Sequence, residues 1–352
     1  MSLSEIDRWL DRFDTTLLKR FVLLLSVILV LIFGLVYPLG VPPDYLAYLE
    51  VFGWTYSATW LQVIDNPKSW EPAFMLLVFG FAKLDFSSTA IFLFFVLIAT
   101  SFKALLFYKL STPIAYALVM LVFFFKIFPL QDYNQLRGAL AVGFLMLFYS
   151  EWTFRTNVLS ALVYAVVAIA FHYLALAVLP LLILACLYVP QQRVVVAVSG
   201  VLLAMLIVLG FPVLLDVVAY LVPRVEGYLV RVSEPAASSY ISPVLYPEVF
   251  LVVVSLYFWR QCTDNMKRII FLQFLGFGVF YGLFDFGVVS SRLREVVSAF
   301  WLFYIADYAK MSTHLRASTI IFVGMNIVLG VYLFYISDFF EVLSIFPLVE
   351  QK

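Results

Sequence analysis

Charge rarely interrupts the long apolar runs of this chain, and that pattern restricts its fold more than any motif. Phe21 to Tyr37 contains no charged side chain, and between Asn157 and Val189 His172 is the single group that titrates near neutral pH. Runs of about 20 such residues cross hydrocarbon as helices, because a helix pairs every backbone N–H and C=O within the segment. Hydrophobic residues make up 64% of the 352, against roughly 45–50% in soluble domains. The sequence therefore predicts an all-α, polytopic integral membrane protein.

Basic and acidic residues balance at 22 each, which leaves no basic surface for nucleic acid. The two cysteines, Cys186 in an apolar run and Cys262 in a charged loop, make neither a metal-ligand spacing nor a disulfide framework. No repeat, linker or low-complexity tract divides residues 1–352, which read as one transmembrane domain.

In residues 1–19, Leu3, Ile6, Trp9, Leu10, Phe13 and Leu17 fall at helical spacing opposite Asp7, Arg8, Asp11 and Arg12, the pattern of a helix lying on the membrane surface. Arg8, Arg12, Lys19 and Arg20 hold that end in the cytoplasm by the positive-inside rule. With no small-residue cleavage site after it, Phe21 to Tyr37 is expected to stay as an anchor. Further spans are predicted near 88–107, 112–130, 137–152, 156–171, 173–189, 193–213, 248–259, 269–287, 296–308 and 318–337, about eleven crossings in all. Lys103, Lys109, Arg155, Arg193, Arg260, Lys267, Arg268, Lys310 and Arg316 then lie on the cytoplasmic side.

Residues 40–87 and 214–247 become outer loops. Within the first, Glu71 to Phe86 has an apolar stretch of about a dozen residues, too short to cross, and reads as a re-entrant or interfacial helix. Asp216, Arg224, Glu226, Arg231 and Glu234 of the second are expected to cover the outer cavity. Residues 156–189 read as one long tilted helix or as two spans. Their length as helix, about 51 Å, falls short of about 60 Å for two crossings, so the two-span reading recesses the turn at His172.

Five polar islands remain: Asp44 to Tyr48, Glu71-Pro72, Asp132 to Arg137, His172, and Ser291 to Glu295. An ionisable group at membrane depth is costly and so is a functional candidate, and on this topology all five face outward. Asn134 can cap the following helix, whose free N–H groups with Arg137 form an anion site; alternatively Arg137 pairs with Asp132 to close the loop. His172 either packs through a hydrogen bond or takes a proton from a sugar hydroxyl. Arg292 shares a helix face with Glu295, which makes it the inward ligand, while Arg294 points away as a headgroup anchor. Asp44 and Tyr48 stand among Trp54, Tyr56, Trp60 and Trp70, rings that suit sugar stacking or a bilayer interface. Glu71 precedes Pro72 at a helix start.

The order Asp44-x3-Tyr48, Glu71-Pro72-Ala73-Phe74, Asn134-Gln135-Leu136-Arg137, Phe171-His172 with Pro180 eight residues on, and Ser291-Arg292-Leu293 resembles the EpsG/Wzy family of bacterial polysaccharide polymerases over about residues 40 to 310. Ala73, Gly138 and Tyr173-Leu174 depart from the family pattern, and all the charged positions are kept. The resemblance implies a GT-C-like glycosyltransferase of the bacterial inner membrane that joins O-antigen or capsule repeat units carried on undecaprenyl pyrophosphate. Its partners would be the lipid-linked donor and acceptor, membrane lipids and a chain-length regulator, with no cofactor. Arg137, Arg292 and Asn134 would hold pyrophosphate, and Asp44, Tyr48 and Asp132 would contact sugar. His172 would be the base or orient the acceptor, and Glu71 would contact sugar or serve as the alternative base. An O-antigen ligase or another lipid-linked-sugar transferase would use similar chemistry. A flippase or exporter would instead need charges along a path through the bilayer.

No carboxylate cluster in the sequence has metal-ligand spacing, so turnover is expected to be metal-independent. Chelation should leave activity unchanged; loss on chelation with recovery on adding a divalent ion would contradict this.

Overall fold

In a computed structural model, described for residues 15–36, 44–65, 70–132, 134–221, 243–284 and 287–333, every regular element is helical. The helices are α1 (Thr15–Val36), α2 (Tyr45–Ser57), α3 (Trp60–Asp65), α4 (Pro72–Lys83), α5 (Ser88–Leu110), α6 (Pro113–Val122), α7 (Leu136–Phe154), α8 (Val158–Phe171), α9 (Leu174–Leu187) and α10 (Arg193–Leu221). After them come α11 (Tyr246–Tyr257), α12 (Asp264–Gly282), α13 (Gly287–Ser298), α14 (Trp301–Ala306) and α15 (Thr313–Val331). Among the described residues, four helical stretches are long and apolar enough to cross a membrane: Ser88–Leu110, Pro113–Asp132, Arg193–Gly210 and Thr313–Val331. The protein is a membrane protein.

Local chemistry explains several starts. The side chains of Ser87, Asn157 and Thr263 accept hydrogen bonds from Ala90 N, Ser160 N and Met266 N at 3.1–3.2 Å, pairing N–H groups that the first turn leaves open. α6 continues as a π-helix, Phe123–Asp132, with Pro129 inside it. Proline supplies no N–H, which favours departure from the α-helical bond pattern there.

Side-chain contacts give the helices a common axis with two ends. α7 begins beside His172, where a Cβ on Gly138 would lie 3.5 Å from the imidazole Cδ2. It finishes beside the end of α9, where Thr153 Oγ1 meets Cys186 Sγ at 3.7 Å. α8 therefore rises to His172 and α9 returns, so the 156–189 segment is two helices and not one. At 14 residues each, they reach about 21 Å, short of about 30 Å of hydrocarbon.

The end opposite His172 is tied by polar contacts. Tyr149 donates to Asn265 Oδ1 at 2.8 Å, and Asn265 Nδ2 and Thr263 Oγ1 donate to Asp307 Oδ2 at 3.0 and 2.7 Å. Lys310 pairs with Asp307, Lys19 donates to Tyr108 O and Arg268 to Cys186 O, so much of the basic charge expected at one membrane face gathers here. Lys103 is an exception. It is not in a loop but buried within α5, paired with Asp132.

Residues 40–71, expected as loop, contain α2 and α3, and the helix expected to end at 213 runs on to Leu221. α4 is the predicted short helix. It begins at Glu71, beside the turn at His172, and its far end meets the end of α2, where Lys83 Nζ donates to Tyr56 O at 3.0 Å. Of the proposed surface helix, residues 1–14 lie outside the described residues, as do residues 222–242 of the second outer loop.

With little hydrophobic drive between helices in lipid, close backbone approach supplies cohesion. α10 and α12 run parallel on small residues: a Cβ on Gly278 would lie 2.4 Å from Gly200 O, and one on Gly200 2.7 Å from Phe274 O. Gly278→Ala should therefore force the pair apart and destabilise the protein by about 1–3 kcal/mol. Thermal unfolding in detergent checks this; an unchanged midpoint would contradict the packing.

Candidate functional site

The five polar islands, spread from residue 44 to residue 295, come together at the end marked by His172. Glu71 is the centre. Pro72 opens α4, and the Glu71 side chain makes no capping bond to its own helix. It reaches instead to two other elements. One oxygen accepts from Arg137 Nη1 in the first turn of α7; the other meets His172 Nδ1 at 2.6 Å and accepts from Tyr173 N at 3.3 Å. The backbone turns away from helix at His172 (φ −159°, ψ 120°), and the Tyr173 N–H is thereby given to Glu71.

Burial of Glu71 (3% exposed) works to raise its pKa, yet His172 and Arg137 outweigh burial and hold the carboxyl at about 2. A carboxylate only accepts, so the imidazole places its proton on Nδ1 and leaves Nε2 as the free acceptor. This arrangement orients a histidine base.

Arg137 stacks on Trp70, its guanidinium carbon 4.1 Å from the ring centre, and its Nε–H is buried without a partner. Tyr48 packs its ring against Trp70 and Phe74, with centroids at 5.4 and 5.8 Å, and lies within electrostatic reach of Arg137. One turn earlier, both oxygens of Asp44 accept from Arg292 Nη2 at 3.2 and 3.1 Å. Gln135 Nε2 donates to Glu295 at 2.9 Å, which joins the α7 start to α13.

Several expectations change. Asp132 is fully buried, with Lys103 and Thr100 as partners, so the loop-closing pair with Arg137 does not form; Arg137 belongs to Glu71. Tyr48, 1% exposed, is likewise a packed wall and not an open sugar surface. Asn134 does not cap α7: Gln135 holds the cap position, no side chain caps it, and Asn134 Oδ1 is buried without a partner. Arg294 is no headgroup anchor; it is 4% exposed and bound to Glu248 and Gln273. Trp70, expected as a ring for sugar stacking or the bilayer interface, stacks on Arg137 instead, and Gln135, inside the Asp132 to Arg137 island, binds Glu295. Among the described residues no group of three or more His, Cys, Asp or Glu is placed to hold a metal ion.

A sequence model of the EpsG family matches residues 19–348. The chain belongs to the EpsG family. No curated protein and no solved structure matches it. In this EpsG-family chain the match covers every residue of the cluster, from Asp44 to Glu295. A Cβ on Gly138 would stand in ordinary contact with Gln135 and His172, at 3.4–3.5 Å, so this position lines the cluster directly.

Glu71 has a folded-state pKa below its usual 4.5, so its stabilising contribution is complete above about pH 4.5 and is lost as pH falls through about 2. Glu71→Gln should cost roughly 3 kcal/mol near pH 6, with the gap to wild type closing between pH 4.5 and 2. Denaturation in detergent across that range tests it, and a pH-independent gap would contradict the assignment.

Proposed function

We propose that the protein is a glycosyltransferase that polymerises oligosaccharide repeat units carried on undecaprenyl pyrophosphate, an O-antigen or capsule polymerase. One observation carries the reading: in an EpsG-family membrane chain, five separate polar segments converge on a single Glu71–Arg137–His172 cluster. Nothing in bulk hydrophobicity requires that convergence.

In the proposed reaction the acceptor hydroxyl oxygen attacks the anomeric carbon of the donor sugar, and the bond from that carbon to pyrophosphate breaks. The hydroxyl proton passes to His172 Nε2, with Glu71 orienting and stabilising the imidazolium. Glu71 is a poorer base than His172 because both its oxygens are already engaged. Pyrophosphate leaves with its charge held by Arg137 and Arg292, whose multiple N–H groups can serve a carboxylate and a phosphate together. Asn134 adds an amide at the start of α7. Asp44 serves mainly to aim Arg292, while Tyr48 and Asp132 support the arginine and the loop from behind.

About eleven crossings in a GT-C-like arrangement accompany this reading. The basic residues at the opposite end set the orientation in the bacterial inner membrane, with the cluster facing the periplasm. The residues assigned to the reaction gather at one end of the bundle, which fits an enzyme better than an exporter, whose path would carry its ligands through the bilayer.

A deletion strain tests the class. A polymerase predicts single-repeat products in place of a ladder on the surface polysaccharide profile; unattached polymer would indicate a ligase, and no displayed product a flippase. His172→Ala should lower turnover about 10²–10⁴-fold, and Arg137→Ala should also abolish the ladder, both at normal protein levels. A normal ladder from either variant removes that residue from the mechanism.

A further inference from the structure

Glu295 is an ionisable member of the cluster that has no role in the proposed reaction. It lies one turn along α13 from Arg292, and a spacing of three puts both side chains on one face of the helix. Arg292 and Asp44 are both near enough to act on its charge. From α7, Gln135 Nε2 donates to Glu295 Oε2 at 2.9 Å, and Gln135 and His172 both border the place where a Cβ on Gly138 would stand. Glu295 thus stands between Arg292 on its own helix and the α7 residues that border His172.

The two glutamates of the cluster have opposite surroundings. Glu71 gives both oxygens to donors, an arginine and a histidine among them. Glu295 binds one neutral amide; among the described residues it has no ion-pair partner, and its Oε1 meets no donor and is not sealed off. The neighbouring charges are already matched. Arg292 pairs with Asp44, Arg137 with Glu71, and Lys103 with Asp132. Lys126, Arg294 and Glu248, which line a small and mostly apolar cavity with Glu295, bind one another. α9 carries no charged residue, and those of α12, Asp264, Lys267 and Arg268, lie at the opposite end of the bundle. Burial accordingly pushes the Glu295 carboxyl up to about 7, against the pulls of Gln135 and Arg292. When it is protonated, Oε2 still accepts from Gln135, while Oε1 carries a hydrogen that it can donate.

Charge balance indicates what such a group would serve. Ionised, Glu295 would join Asp44 and Glu71 as a third carboxylate against the two guanidinium groups of Arg137 and Arg292, and an arriving phosphate would be repelled. Protonated, it removes that excess and adds a donor, since a carboxylic acid kept neutral by its surroundings can donate a hydrogen bond at neutral pH. We propose that Glu295 is a further substrate-contacting residue, whose protonated Oε1 donates a hydrogen bond to a pyrophosphate oxygen held by Arg292. Binding then takes up a proton wherever Glu295 is ionised in the free protein. The choice of pyrophosphate as the ligand rests on the polymerase reading.

The test uses the full chain in phosphatidylcholine nanodiscs, titrated calorimetrically with farnesyl-pyrophosphate-linked N-acetylglucosamine. Its pyrophosphate is substituted at both ends and so has no proton to lose near neutrality. A carboxyl that must be protonated to bind is lost as pH rises through its free-state value, so affinity should fall by up to about tenfold per pH unit above about 7. Glu295→Gln, which keeps the shape and a donor but cannot ionise, should bind independently of pH and exceed wild type at least about tenfold near pH 9. His172 is the other group of the cluster that can titrate near neutrality, and His172→Gln should leave the slope in place. In wild type the binding heat above neutrality should vary with the ionisation enthalpy of the buffer, as proton uptake requires; this measurement decides if Glu295→Gln fails to fold. A flat wild-type profile, a slope that persists in Glu295→Gln or vanishes in His172→Gln, or no binding at any pH overturns the proposal. Binding that is flat in pH but lost in Arg292→Gln overturns it while leaving the polymerase reading intact, and the polysaccharide ladder measures that reading independently.

Discussion

The buried carboxylate of Glu71 is the interaction on which the site depends. A charge placed 3% exposed among apolar helices is tolerable only with partners on hand, and Glu71 has them on two other elements. The same bonds fix the imidazole tautomer, aim the guanidinium and end α8 at His172. Stability and prospective chemistry therefore use the same atoms. Removing Glu71 would leave Arg137 and the histidine turn without their common point of reference.

Around that centre the protein repeats one solution to the cost of burying charge. Lys103 is matched with Asp132, Lys126 and Arg294 with Glu248, and Arg292 with Asp44. Each pair links elements far apart in sequence, so each also fixes the register of one helix against another. Exposed pairs contribute little to stability, but buried pairs are strongly unfavourable to break, which makes them effective determinants of register. At the opposite end Asp307 has the same function for α7, α12 and α14 through Asn265 and Thr263.

Much of this was legible in the sequence because the bilayer makes polar residues conspicuous. The five islands stood out as interruptions of apolar runs, and the short stretch after Glu71 followed from length, whereas length left residues 156–189 open between one tilted helix and two. Pairing was harder to read. A charge near the end of an apolar run ordinarily marks the membrane surface, which puts Lys103 at the cytoplasmic side, whereas its buried partner Asp132 lies 29 residues on. Lys126 and Glu248 are 122 residues apart, a contact that helical periodicity cannot reveal. Arg294 was correctly placed on the opposite face of its helix from Arg292, but that face meets Gln273 of α12 and not the headgroups. Gln135 and Trp70 are visible as an island residue and an interfacial ring, but nothing in the sequence pairs Gln135 with Glu295, 160 residues on, or Trp70 with Arg137.

The pair between Asp44 and Arg292 joins residues 248 apart. Synthesis at about 5–20 residues per second delivers the arginine some 10 to 50 seconds after the aspartate. During that interval α2 is already made, while its first carboxylate lacks the cation that will hold it. The polar cluster at that end of the bundle is thus completed only when α13 arrives, late in translation. Truncated chains lacking that helix would present half a cluster, with Glu71, Arg137 and His172 assembled but the second arginine missing, so biosynthesis itself separates insertion into the membrane from acquisition of a complete site.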